Sequence, residues 1–356
     1  VDASIIKSDG KSKYVGILND YFKYNKEIYE KIHNLKEKIH KLTDLQKCSK
    51  ELKSLEKEIT MFHAKVVNNI LRDKKVDIVG FHGQTIYHNS QEKVSKQLGN
   101  GALLSQLIKK DVVYNFRSND LKNGGEGAPL SPIFHQLIAT QNSLDLPICI
   151  LNIGGISNIT IVGGPSGTLS LTSRDIGPGN CLIDSWVRKN SDKNFDKDGI
   201  LASQGTRNEI IFEQAQELFS NRPNQNTLSF DVNDFDVSFA RGLSLEDGAT
   251  TLTDFTARII GSALFSLLSN VKNKLWKVLI CGGGRKNKVL IEKIKKNTLQ
   301  NIIIQPIDDY GIDGDFVESQ AFAFLAIRSI LKLPISFPDT TGCNKPTLGG
   351  DIIKFK

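Results

Sequence analysis

Leu146-Pro147-Ile148-Cys149-Ile150-Leu151-Asn152-Ile153-Gly154-Gly155-Ile156-Ser157-Asn158-Ile159-Thr160-Ile161-Val162 is the stretch that sets the fold class. Residues 146–153 are apolar almost throughout, the pattern of a strand buried on both faces. Two glycines break the run, and residues 156–162 read as a second strand. Gly163-Gly164-Pro165 marks another turn, and residues 168–173 a third strand. Strand, tight turn, strand, tight turn, strand is an antiparallel meander.

Outward from the meander the pattern changes. Toward the C-terminus, helical spacing appears at 181–188, 208–219 and 251–268. A strand at 276–280 runs into Cys281-Gly282-Gly283-Gly284 and then a helix; another strand follows at 302–306 and a long helix at 315–331. Toward the N-terminus, strands are expected at 1–7, 76–80 and 112–114, and helices at 103–110 and 133–140. Between 19 and 72, Ile28, Ile32, Leu35 and Ile39, then Leu52, Leu55 and Ile59, fall at helical spacing among many Lys and Glu, which read as a solvated face. Residues 334–356 are rich in Pro, Gly and Thr and read as loops. A meander followed by alternating strands and helices indicates α/β layers. Two lobes are expected: 1–128 with 325–356, and 129–324.

Composition narrows the function. A chain of 356 residues has room for two cores, and 39% apolar with 24% charged residues is ordinary for a globular protein. No apolar run approaches the ~18 residues of a membrane span, and no signal-peptide order opens the chain. The net charge of +7 comes from scattered lysines without an aromatic-basic motif, so neither nucleic acid nor membrane is expected as a partner. The five cysteines form no C-x-x-C pair, which fits a reducing cytoplasm.

Five constellations carry chemistry. Gly154-Gly155 between buried strands lets backbone approach a ligand, and successive N–H groups there could cradle phosphate; an ordinary hairpin turn is the alternative. Asp175, before Gly177-Pro178-Gly179, is suited to accept a proton from an attacking group; capping the next helix is the alternative. Gly282-Gly283-Gly284 puts bare backbone at a strand-to-helix junction, where anions are favoured, although a glycine-rich turn would look the same. It is neither Gly-x-Gly-x-x-Gly nor a Walker loop, so Rossmann dehydrogenases and P-loop enzymes are disfavoured. His82-Gly83-Gln84-Thr85 lacks metal-ligand spacing and suits polar contacts to a sugar, or a simple turn. Arg117 could clamp a carboxylate or pair Asp120.

Taken in order, His82-Gly83-Gln84-Thr85, Phe116-Arg117, Asn152-Ile153-Gly154-Gly155-Ile156, Asp175-x-Gly177-Pro178-Gly179-Asn180, Cys281-Gly282-Gly283-Gly284 and Glu318-x-Gln320-Ala321-Phe322-Ala323 resemble the anhydro-N-acetylmuramic acid kinase family along essentially the whole chain. The resemblance implies a duplicated ribonuclease H-like, actin/hexokinase-type α/β fold with ATP in a central cleft between lobes. It implies an ATP-dependent kinase, with Mg2+, that opens 1,6-anhydro-N-acetylmuramic acid with water and phosphorylates O6, giving N-acetylmuramic acid 6-phosphate in cell-wall recycling. Asp175 is then the base. Gly154, Gly155 and Gly177 line phosphates, and Gly282, Gly283 and Gly284 the nucleoside. His82, Gln84, Thr85 and Arg117 contact the sugar, Arg117 at its lactyl carboxylate. No metal ligand is assigned, and a homodimer is allowed for.

The sequence departs from that pattern at its start. The family carries a strand and a Gly-Thr-Ser-x-Asp-Gly loop ahead of the segment matching Val1-Asp2-Ala3, and neither is in the sequence. The expectation is little or no kinase activity, with an inactive nucleotide- or sugar-binding relic as the alternative. Asn100 and Asn115 stand where the resemblance implies aspartate.

Overall fold

Among the described residues, segments that alternate or cluster apolar side chains form twelve strands and the helices packed on them. The structure, a computed structural model, describes residues 1–72, 74–164, 169–221, 229–269 and 275–356. The strands are β1 (Asp2–Ser8), β2 (Tyr14–Tyr21), β3 (Ile78–Phe81), β4 (Gln84–Asn89), β5 (Val94–Leu98), β6 (Asp111–Tyr114), β7 (Ile148–Ile153), β8 (Ile156–Val162), β9 (Leu171–Pro178), β10 (Trp276–Cys281), β11 (Ile302–Pro306) and β12 (Asp351–Ile353). Contacts divide the chain into two units. Unit 1 is Val1–Leu144 with Phe316–Lys356, and unit 2 is Asp145–Asp315. The divisions therefore fall after 144 and after 315 rather than after 128 and 324, because the helix Pro132–Gln141 and the helix Val317–Ile330 both belong to unit 1.

Unit 2 is built on one five-stranded sheet in the order β11-β10-β7-β8-β9. β7, β8 and β9 form the expected antiparallel meander, while β10 runs parallel to β7 and β11 parallel to β10. Counted from β7 the order is 3-2-1-4-5, the ribonuclease H-like arrangement. Ile148, Cys149, Ile150 and Leu151 are all fully buried, which explains the unbroken apolar run: a central strand is covered on both faces. One face packs Cys149, Leu151, Ile153, Val278 and Ile280 against Ile260 and Leu264 of the helix Leu245–Leu268. Pro165 and Thr168, placed in the second turn and third strand from sequence, lie outside the described residues.

Unit 1 pairs its strands differently. β1 and β2 form an antiparallel hairpin, β3, β6 and β12 a three-stranded sheet, and β4 and β5 a second hairpin. The Ile28, Ile32, Leu35 and Ile39 stripe and the Leu52, Leu55 and Ile59 stripe are buried against each other and against Ile86, Tyr87 and Leu98 of the β4–β5 hairpin. Their charged faces are open: Lys31 pairs with Glu27 and Glu58, and Lys38 with Glu51, solvent-screened pairs that add little to stability. The C-terminal segment is not all loop, since Asp351–Ile353 pairs with β6 and Ser336 bridges Thr347. A cavity of about 950 Å3 lies between β1 and β3, with Val67, Leu71, Glu318 and Phe322 among its walls. Among the described residues no helix is long and apolar enough to cross a membrane.

Candidate active site

The glycines of unit 2 converge at the ends of β7, β9 and β10. Gly154-Gly155 joins β7 to β8, and Gly179 N–H donates to Gly155 O (2.9 Å) while Asn180 N–H donates to Gly154 O (2.7 Å). Gly282 follows Cys281, which stands opposite Asn152 in the β7–β10 ladder, so the third glycine group lies beside the first. The C-terminal ends of parallel strands are where α/β sheets bind ligands.

Some of these glycines are demanded by packing. A Cβ on Gly179 would fall 2.3 Å from Gly154 O, one on Gly284 2.2 Å from the Ile153 side chain, and Gly282 has φ +79° with Asn152 Oδ1 2.4 Å from where a Cβ would sit. Gly154, Gly155 and Gly283 are different. None has a positive φ, and the nearest atom to an added Cβ would be 3.4, 3.5 and 3.9 Å away respectively. The common reason for glycine in a two-residue hairpin turn, a left-handed backbone, is therefore absent at Gly154-Gly155. Among the described residues of unit 2 nothing explains these three bare positions, whereas close approach of a ligand to backbone does.

Asp175 lies inside β9, not at its end: the strand continues through Gly177 and Pro178, which pair with Ser157 and Ile156. Proline is tolerated there because β9 is an edge strand. The N-cap position of the following helix, Cys181–Asn190, is Asn180. Asp175 is only 6% exposed, sits across the ladder from Asn158, and accepts a hydrogen bond from Phe230 N–H (2.8 Å). Sequence reasoning missed the Phe230 contact, since 55 residues separate the partners.

In unit 1 the structure brings His82, Gln84, Thr85 and Arg117 near one another. Arg117 Nε and Nη2 lie 3.2 and 3.0 Å from His82 Nε2, and Nη1 donates to Gly127 O (2.8 Å). A guanidinium only donates, so His82 Nε2 is the acceptor and the ring proton sits on Nδ1, 2.9 Å from Gly83 O. The ring lines the unit 1 cavity and packs on Phe322 at 4.3 Å. Burial, then the Arg117 charge, pushes the His82 pKa down to about 3, so this imidazole is neutral. Gln84 Nε2 donates to Thr85 O (3.3 Å), and Thr85 Oγ1 accepts from Gln97 (3.2 Å). Asp120 has its own work, accepting from Gly127 N–H and Thr341 Oγ1 (2.7 Å each). Asn100 caps the helix Gly101–Ile108 through Leu103 N–H, and Asn115, at φ +54°, donates to Asp351 (2.6 Å).

Comparison with known proteins agrees with this arrangement of motifs. The family model for anhydro-N-acetylmuramic acid kinase matches residues 1–354. The protein of that name from Pelagibacter ubique (strain HTCC1062) is 53% identical over 356 residues, spanning 99% of this chain and 95% of the relative. Its namesake from Zymomonas mobilis is 38% identical over 301 residues, 83% of this chain and 79% of the relative. Among solved structures, (R)-2-hydroxyglutaryl-CoA dehydratase component A of Acidaminococcus fermentans matches with a TM-score of 0.38 and 14% identity over 75% of this chain and 84% of the other, a likeness too slight to carry weight. Identity sustained over nearly the whole length favours a working kinase over an inactive relic. The chain belongs to the anhydro-N-acetylmuramic acid kinase family.

Proposed function

We propose that this chain uses ATP to open 1,6-anhydro-N-acetylmuramic acid and phosphorylate its O6, yielding N-acetylmuramic acid 6-phosphate. The observation that carries the nucleotide half of this reading is the set of bare backbone positions at Gly154, Gly155 and Gly283. Gly154 and Gly155 would take phosphate, with Gly177 shaping the adjoining strand end, and Gly282, Gly283 and Gly284 would run along the nucleoside. The sugar follows from the activity for which the relatives from Pelagibacter ubique and Zymomonas mobilis are named.

Asp175 is the proposed base. A carboxylate fixed in a strand and oriented by a backbone N–H can take a proton from water as that water attacks the anomeric carbon. As the C1–O6 bond breaks, O6 bonds to the γ-phosphorus and the bond from that phosphorus to the bridging oxygen of ADP breaks, so ring opening and phosphoryl transfer share one electron flow and ADP leaves. His82, Gln84, Thr85 and Arg117 are the proposed sugar contacts. Arg117 is the weaker donor for a lactyl carboxylate than a free guanidinium would be, because three of its N–H directions already serve His82 and Gly127. Mg2+ supplies charge neutralisation on ATP when bound. It takes most of its ligands from phosphates and water and needs one or two carboxylates from protein. The absence, among the described residues, of any group of three or more metal-ligating side chains is compatible with that. Five free cysteines, four of them buried, suit the cytoplasm.

The test is ATP-dependent formation of the 6-phosphate by the parent chain and by Asp175→Asn. The variant is expected to bind ADP normally and to lose about 10²–10⁴-fold in kcat. Activity near that of the parent would refute the assignment of the base.

A further inference from the structure

Arg285 follows the glycine run directly and belongs to none of the motifs described above. In the structure its side chain is 8% exposed and encircled by acids. Nε and Nη2 fork onto Asp308 at 2.7 and 2.8 Å, and Nη1 reaches Asp315 Oδ1 at 2.5 Å. Asp313 stands 3.9 Å from Nη2. The same Nη1 also donates to Gly282 O at 3.2 Å, so the guanidinium holds the first residue of the glycine run itself. A backbone bond from Gly282 N–H to Gly314 O (2.9 Å) ties that residue a second time to the same segment, and Gly314 N–H donates to Asp308 (3.2 Å). Gly314 is bare where the guanidinium lies over it: a Cβ there would be 2.5 Å from Arg285 Nε.

We infer that Arg285 is a positioning residue for nucleotide binding: it locks Gly282–Gly284 onto the segment 308–315 so that the glycine backbone meets the nucleoside without first being ordered. The inference rests on the reading of Gly282–Gly284 as the nucleoside strip. A surface ion pair would do nothing of the kind, since exposed pairs are worth little. Here the planar guanidinium, itself buried, forks onto two partly exposed carboxylates and a main-chain carbonyl, a geometry an ammonium does not reproduce. Ordering a loop at the moment of binding weakens affinity, and a preorganised loop avoids that cost.

The experiment measures ADP affinity by titration calorimetry, well below each variant's melting temperature, with hydrogen exchange at residues 282–286. Arg285→Met is expected to bind ADP roughly 30-fold more weakly and to exchange faster at those amides, with kcat at saturating ATP changed less than about threefold. Arg285→Lys should recover only part of the affinity. Gly314→Ala, which pushes on the guanidinium and leaves its charge in place, should give a milder version of the same loss. Gly283→Val separates the two readings. A Cβ there would lie 3.9 Å from its nearest described neighbour, and the side chain would occupy the nucleoside's place. If Gly283→Val binds ADP as the parent does, the nucleoside strip itself is misassigned. If Gly283→Val loses ADP while Arg285→Met keeps it within threefold, Arg285 is only a structural ion pair and the inference fails.

Discussion

Unit 2 and unit 1 repeat one order of strands but close their sheets differently. β1 and β2 pair as β8 and β9 do, antiparallel; β3 and β6 pair as β10 and β11 do, parallel. In unit 2, β7 lies between the two pairs and welds them into five continuous strands. In unit 1 the corresponding place, between β1 and β3, is the 950 Å3 cavity. Unit 1 is held instead by helices: Val317–Ile330 packs on β1 and β3, and Ser49–Leu71 on β1. Within residues 1–356 the sheets of the two units thus differ in continuity. The glycine strip and Asp175 sit on the continuous sheet or at its strand ends, while His82, Gln84 and Thr85 border the cavity.

Hydrogen exchange should show the largest contrast. Amides of β7 are expected to exchange only through global opening of unit 2, and cavity-facing amides of β1 roughly 100-fold or more faster. Equal protection would erase the distinction drawn between the sheets. Core truncation comes next. Ile150→Ala removes a side chain packed on all sides and is expected to cost about 4 kcal/mol, whereas Ile5→Ala, at the cavity wall, should cost about 2, within the ~2–5 range for such changes. Chemical denaturation of both variants measures the two values, and reversal of their order would break the comparison.

Acid should separate the units more gently. All six histidines lie in unit 1. Burial pushes His63 and His135 down to about 4, and His82 and His88 to about 3. Between about pH 6.5 and 4 the unfolded chain therefore binds more protons than the folded one, and unit 1 loses stability as pH falls through that window. Unit 2 has no histidine, and burial raises Asp184 to about 7. That group favours the folded state at low pH and works against it as pH rises from about 4 to 7, the opposite sign. Proteolysis across this range should open unit 1 first on acidification; first cleavage in unit 2 would contradict the assignment.

The legible and illegible parts of the sequence follow the same division. β7 could be read because a central strand needs no polar face, and the meander because its turns are glycine pairs. The stripes in 19–72 were equally plain, since helical periodicity survives any charge on the outer face. The β4–β5 hairpin was missed: Gln84–Asn89 alternates weakly, and its turn residues, 90–93, contain no glycine or proline. Gly-Pro-Gly reads as a strand break just after Asp175, yet the edge strand β9 continues through Gly177 and Pro178. β12 has three residues, too few to show a period. Long-range partners such as Phe230 for Asp175, or Asp308 and Asp315 for Arg285, leave no mark in local pattern.

Calorimetric titration of ADP into Gly154→Ala/Gly155→Ala bears most directly on unit 2 as the nucleotide carrier. Both new methyl groups have room in the protein, at 3.4 and 3.5 Å from their nearest neighbours, so the melting temperature should hold. ADP affinity is expected to fall about 100-fold, the loss of roughly two close backbone contacts at ~1.4 kcal/mol per factor of ten. A folded double variant that binds ADP as tightly as the parent would contradict the account.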